Sequence, residues 1–306
     1  MTLLKKHTIA FYNIENFYEA ESLLLKTTFL KWTKDRYLQK ILKLGLVIAQ
    51  IGQEETAKHP AILALAEVEN TQVLNDLINS KLLKQYEYRY VFFSSLDKRG
   101  MNVALLYDPS VFKVKNSKAY PIDLLDSNGD TDFTRDILYV SGTLEGEKIH
   151  LLINHWPSRR EKDTEVKRMA AANKLEEIID SIKNENPEAK ILVMGDFNDD
   201  PDSPSLVYIT EGFELYNALE KLRNFNRGSL KYNRQWHMFD QILLSDNFLK
   251  TKIGQWQLES ANIYDAQFLK YQKGKHKGKP FRTFLGAKYH GGFSDHFPVY
   301  VTVVRK

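Results

Sequence analysis

The chain keeps returning to short apolar runs, too brief for helices and too rich in β-branched and aromatic residues for loops. They lie near 7–13, 61–66, 88–94, 102–107, 111–118, 136–144, 147–153, 190–195, 238–244, 253–259 and 298–304. Each is read as a strand. Helical periodicity is confined to longer stretches between them. In 34–51, Tyr37, Ile41, Leu44, Ile48 and Ile51 recur in steps of four and three; in 162–183, Val166, Met169, Leu175, Ile178, Ile179 and Ile182 do nearly the same. A shorter helix is expected over 71–80, capped by Asn70 or Thr71. Strands interleaved with a few long helices fold into α/β layers, not a barrel or a bundle. No Pro/Gly/Ser linker divides the chain, and "DLLDSNGDTD" (123–132) reads as a hairpin or loop. One domain over residues 1–306 is therefore expected.

Composition narrows the chemistry. The chain has no cysteine, which excludes disulfides, thiolate zinc sites and cysteine nucleophiles. Its N-terminus lacks an apolar stretch of signal-peptide length and no segment could span a membrane, so a cytoplasmic location is expected. The formal net charge of +4 is compatible with an anionic substrate. Much of the basic charge gathers in "KYQKGKHKGKPFR" (Lys270–Arg282), either a solvated flexible loop or a contact for a phosphate backbone.

Polar residues close or open many of the apolar runs. "TIAFYN" ends in Asn13, "AILALAE" in Glu67, and "IHLLINH" in Asn154 and His155. "ILVMGDFN" ends in Asp196 and Asn198, "FDQILLS" opens with Asp240, and "GGFSDHFPVYV" places Asp295 and His296 before the last strand. Any one of these is an ordinary turn or cap residue. Together they are the oxygen and imidazole groups used on hard cations and phosphate esters. Glu69 competes with Glu67, because alternation would put both on one face.

"YNIEN", "LAEVEN", "INHWPSR", "MGDFND", "FDQILLS" and "SDHFPV", in that order, resemble the motif series of the endonuclease/exonuclease/phosphatase superfamily, from about residue 8 to 303. The resemblance implies a four-layer α/β sandwich, two face-to-face β-sheets flanked by helices, with a site at one end. It implies a metal-dependent hydrolase of phosphoester bonds using Mg²⁺ or Mn²⁺. By motif position, Glu67 would be the principal metal ligand, Asn13 would support the metal or a phosphate oxygen, and Asp295, beside His296, would be a further metal ligand or would hold one in place. Asp196 would orient or deprotonate the attacking water, and Asn198 and His155 would hold phosphate oxygens. His296, fixed by Asp240, would contact the scissile phosphate.

Arg99, Arg159, Arg234 and Arg282 are candidate phosphate clamps, since a guanidinium binds phosphate in bidentate fashion. The basic balance favours a nucleic-acid phosphodiester as substrate. The alternatives are a phosphatase or sphingomyelinase-like enzyme acting on inositol-phosphate or lipid headgroups, and a silent binding module on the same fold. No protein partner can be inferred. Around "GDFN", Phe197 should face away from the site and pack. Asp199, Asp200 and Asp202 read as turn and helix-cap residues near Pro201 and Pro204.

Overall fold

The computed structural model describes residues 4–25, 31–125, 129–159, 164–250 and 252–305. Two six-stranded mixed sheets dominate it. The first runs Trp256–Ile263, Val299–Arg305, Lys5–Phe17, Ile62–Val68, Asn102–Tyr107, Arg89–Phe92 in spatial order. The second runs Leu215–Asn217, Asp240–Ser245, Ile191–Asp196, Glu147–His155, Ile137–Leu144, Phe112–Tyr120. Each sheet has one parallel pair near its centre, Lys5–Phe17 with Ile62–Val68 and Glu147–His155 with Ile191–Asp196. Their other neighbours are antiparallel. A parallel pair brings two carboxyl ends to the same edge, and both pairs do so at the same end of the molecule.

Side-chain alternation explains the layering. Leu192 and Met194 join Phe11, Ala64, Ile153 and Val301 in the core between the sheets. Ile191 and Val193, one residue out of step, join Leu175, Ile178 and Leu206 in a second core under the helices Thr164–Glu185 and Pro204–Gly212. A strand buried on both faces reads as a continuous apolar run, which is what "ILVM" is. Helix Lys34–Gln50 covers the first sheet through Tyr37, Ile41, Leu44 and Ile48. The helix Thr71–Ile78 is capped by Asn70, whose side chain accepts from the amides of Gln72 and Val73. The expected hairpin within 123–132 is present as Leu124–Leu125 against Thr131–Asp132. The expected helix start at 162–163 lies outside the described residues.

At the end remote from the strand carboxyl termini, ion pairs lace the sheets together. Glu145 takes Lys5 and His7 from the first sheet. Glu147 takes Arg305, Lys190 and the backbone amide of Trp256.

Candidate active site

The site is built where the two parallel pairs end. Asp196 is paired in register with His155 on one side and Asp240 on the other. Asn13, on the other sheet, donates from Nδ2 to Asp196 Oδ2 at 3.0 Å. The same oxygen lies 3.8 Å from His155 Nε2 and 3.9 Å from His296 Nε2. Asp196 Oδ1 accepts the Asn198 amide at 2.9 Å, which closes the turn after the strand and gives Asn198 its positive φ of 51°. Gly195 is obligatory here, because an added Cβ would sit 2.3 Å from the Asn154 carbonyl oxygen. Phe197 is fully buried edge-on to Trp156, ring centroids 4.8 Å apart.

Glu67 owes its aim to an irregularity. The register of Ile62–Val68 shifts between Ala66 and Val68 against Asn102–Tyr107, and Glu67, at φ 66°, is the extra residue in that pair. A bulge of this kind re-aims one side chain. Glu67 Oε2 accepts the Asn16 amide at 2.6 Å, while Oε1 has Arg99 at 3.5 Å and His155 at 4.0 Å. Glu69 turns away, its carboxylate accepting from the Glu19 amide and Ser22 Oγ. Of the two acids, Glu67 is the one that lines the cleft.

His296 Nδ1 meets Asp240 Oδ2 at 2.7 Å. Burial works against a charge on His296, but the carboxylates of Asp240 and Asp196 outweigh it and raise its pKa well above the ordinary value. Burial pushes Asp196 up to about 6 against the opposing pull of His296. His155 goes the other way: burial and the adjacent Arg135 hold it well below the usual imidazole range, and so neutral. Arg135 is the residue that sequence reading missed. It is buried, donates from Nη2 to His155 Nε2 at 3.0 Å, and sits 3.3 Å from Asp97 through Nη1.

The four candidate arginines separate. Arg99 and Arg282 line the cleft, an opening of about 290 Å³ that also exposes Glu67, Asp196, Asn198, Asp295 and His296. Arg282 is held by Glu15 at 3.1 Å and by Asp295 at 2.8 Å. Arg159 reaches the cleft but is engaged by the Asn198 carbonyl, Asp199 and the face of Phe239, so it braces the Asp196–Asn198 turn. Arg234 is displaced from the site. It is exposed at φ 68° on the turn joining Leu230–Tyr232 to Gln235–His237, and it is not among the residues that line the cleft.

Asp199 and Asp200 are not caps either. Asp199 is buried against Arg168 at 2.6 Å and Ser205, and Asp200 against His237 Nδ1 at 2.6 Å. The cap position of the helix after Pro201 belongs to Ser203. Asp202 is exposed and pairs with Arg223.

A hard divalent cation fits these donors. Glu67 Oε1 faces the cleft with only the long Arg99 and His155 contacts, and Asp240 Oδ1 is buried without a hydrogen-bond partner. Among the described residues, Asp196, Asp240 and His296 also bring ligand atoms within 4.8 Å of one another. The donors are oxygen and imidazole nitrogen, as hard and borderline divalent ions prefer.

The sequence matches the Endonuclease/Exonuclease/phosphatase family over residues 8–305. The chain belongs to this family. It is a phosphoester-hydrolysing enzyme, and its two helix-flanked sheets have the deoxyribonuclease I-like arrangement. Among solved structures, a family member from Bacteroides thetaiotaomicron is similar at 17% identity, covering 99% of each chain with a TM-score of 0.61. A truncated Caenorhabditis elegans TDP2 is similar at 16% identity, covering 97% of each with a TM-score of 0.60. The mannosyl-6-phosphatase Bt3783 of B. thetaiotaomicron is similar at 17% identity, covering 97% of this chain and 99% of that one, with a TM-score of 0.59. At these identities the likeness is one of fold. Comparison with the curated proteins gives no match.

Among the described residues, no helix is long and apolar enough to cross a membrane.

Proposed function

We propose that the cleft is the catalytic centre of a divalent-cation-dependent phosphodiesterase that cleaves nucleic-acid phosphodiester bonds by in-line attack of water. The observation that carries the reading is the convergence of Asn13, His155 and His296 on one oxygen of Asp196, at 3.0, 3.8 and 3.9 Å. Asp196, held by Asn13, accepts the proton of the attacking water. His296, kept protonated by Asp240, donates to a phosphoryl oxygen and steadies the charge that develops there. Asn198 gives one amide N–H to the Trp156 carbonyl and keeps the other for a non-bridging oxygen. His155 positions the phosphate as a neutral ring, and the adjacent positive charge comes from Arg135 and Arg99. Mg²⁺ or Mn²⁺ held by Glu67, with Asp295 as a further oxygen donor, would supply Lewis-acid relief of charge on the phosphate and leaving oxygens. Asn13 acts through Asp196, since its amide is already engaged there and at the Glu15 backbone.

Two features favour a polymer over a small ester. The cleft, about 290 Å³, lies at the bottom of the range of roughly 300–1,000 Å³ for pockets that engulf a small ligand. The basic segment continues from Arg282 back through exposed Lys277, Lys275 and Lys273. A zebrafish (D. rerio) TDP2 of similar fold, 17% identical with a TM-score of 0.58, is complexed with a single-strand DNA product. The likeness to a mannosyl-6-phosphatase keeps a monoester-cleaving alternative in the test.

The test is a panel of single-stranded and plasmid DNA, RNA, inositol phosphates, mannose 6-phosphate, sphingomyelin and bis-p-nitrophenyl phosphate, assayed with Mg²⁺, Mn²⁺ or EDTA. Cation-dependent cleavage of the nucleic acids, lost in Glu67→Gln, is expected. Turnover of monoesters alone, or activity undiminished by EDTA, would sink the proposal.

A further inference from the structure

A second cavity of about 170 Å³ opens beside the cleft and shares Asn16 and Arg282 with it. Its walls are aromatic. Trp32 and Phe284 meet as a tilted pair, ring centroids 5.9 Å apart and planes 50° apart, and Tyr18 joins them in the lining. Both Trp32 and Phe284 are only half-buried, whereas most large aromatic rings between the sheets are fully buried. Tyr18 lies close enough to Glu67 and Arg99 for their charges to act on its hydroxyl, which places the cavity at the edge of the phosphate site. The charged groups at its floor, Glu15 and Arg282, neutralise each other.

The walls are fixed from the catalytic side. The Glu15 carboxylate accepts the backbone amides of Thr283 and Phe284 and so sets the position of the Phe284 ring. Buried Lys40 donates to Thr283 Oγ1 and holds the same segment from below. The Trp32 indole donates to the Tyr18 carbonyl at 3.1 Å, which fixes the other ring of the pair. A cavity whose rings are held in place by hydrogen bonds, and which no side chain among the described residues fills, is organised before its ligand arrives.

We infer that this cavity is a base-stacking subsite, in which the nucleobase of a nucleotide adjoining the scissile phosphate stacks against the half-exposed Trp32–Phe284 pair. The inference rests on the phosphodiesterase reading and adds a specificity element to it. A flat ring stacks on aromatic side chains whatever its hydrogen-bonding edge, so the subsite selects for a base without selecting which base. It also requires the phosphate and the base to be offset to opposite sides of Arg282, as they are in a nucleotide.

The test uses substrates with a single phosphate: the dinucleotide TpT and two analogues in which tetrahydrofuran replaces the base-bearing sugar on one side or the other. Wild-type protein with Mn²⁺ should show a KM roughly tenfold higher for one analogue than for TpT. That preference should vanish in Trp32→Ala and in Phe284→Ala and be largely restored in Trp32→Phe, with thermal melts confirming that each variant folds. Cleavage of all three substrates with equal KM by wild-type protein, or a preference that survives both alanine variants, overturns the subsite alone. If wild-type protein leaves TpT and single-stranded DNA intact, the phosphodiesterase reading fails, and the subsite with it.

Discussion

Asp196 and His296 share a buried site but are pushed in the same direction for opposite reasons. Burial raises Asp196 to about 6; the surrounding carboxylates raise His296 despite its burial. The proposed mechanism needs Asp196 ionised and His296 protonated, so its working window lies between the two. As pH falls through about 6, Asp196 gains a proton and kcat/KM should drop, with a bound cation moving that limb lower. The alkaline limb, set by His296, should lie well above 6.5. Asp240→Asn removes the nearest negative charge, and its expected effect is to move the alkaline limb down by about one to three pH units. A pH–rate profile in which the alkaline limb stays put would show that Asp240 does not govern His296. The arginines give a sharper contrast. Arg135→Ala should lower kcat/KM by about 10²-fold or more, as loss of a preorganised charge does, whereas Arg234→Ala, on an exposed turn outside the cleft lining, should leave it within about twofold. Equal losses in both would overturn the assignment of Arg135 to the phosphate.

What the sequence could and could not disclose follows from how each element is made. The strand carboxyl ends were legible because apolar runs that stop on Asn, Glu, Asp or His are visible without a partner, and the ordered motifs tied them to one another. The Glu67 bulge was not legible, since a one-residue register shift depends on the neighbouring strand; alternation alone put Glu67 and Glu69 on the same face. Arg135 precedes a strand like any surface arginine, and only the meeting of its loop with Asp97 and His155 buries it. The acids after "GDFN" look like turn residues in sequence, yet Asp199 is tied to Arg168 on the helix Thr164–Glu185. Arg168→Ala, which leaves that buried carboxylate short of its closest cation, should cost about 3 kcal/mol of stability. The measurement is the urea midpoint, and an unchanged midpoint would refute the pairing as a stabilising element.

At the scale of the whole molecule, the two ends of the sandwich are fastened differently. The far end carries the ion pairs of Glu145 and Glu147 across the sheets, independent of any chemistry. The near end is crossed by Asn13 to Asp196 and by His296 to Asp240, so the groups proposed for catalysis also tie the sheets together there. Local opening should therefore begin at the site. Activity is expected to disappear at lower urea than the far-UV circular dichroism signal, and the gap should widen in Asn13→Ala; coincident transitions in both proteins would argue against it. The sandwich then behaves as a hinge with a latch, and the latch is the proposed catalytic apparatus. Closing a substrate phosphate into the site adds a tie across the same gap, so a tightly held product should protect the fold from that end as much as it occupies the enzyme.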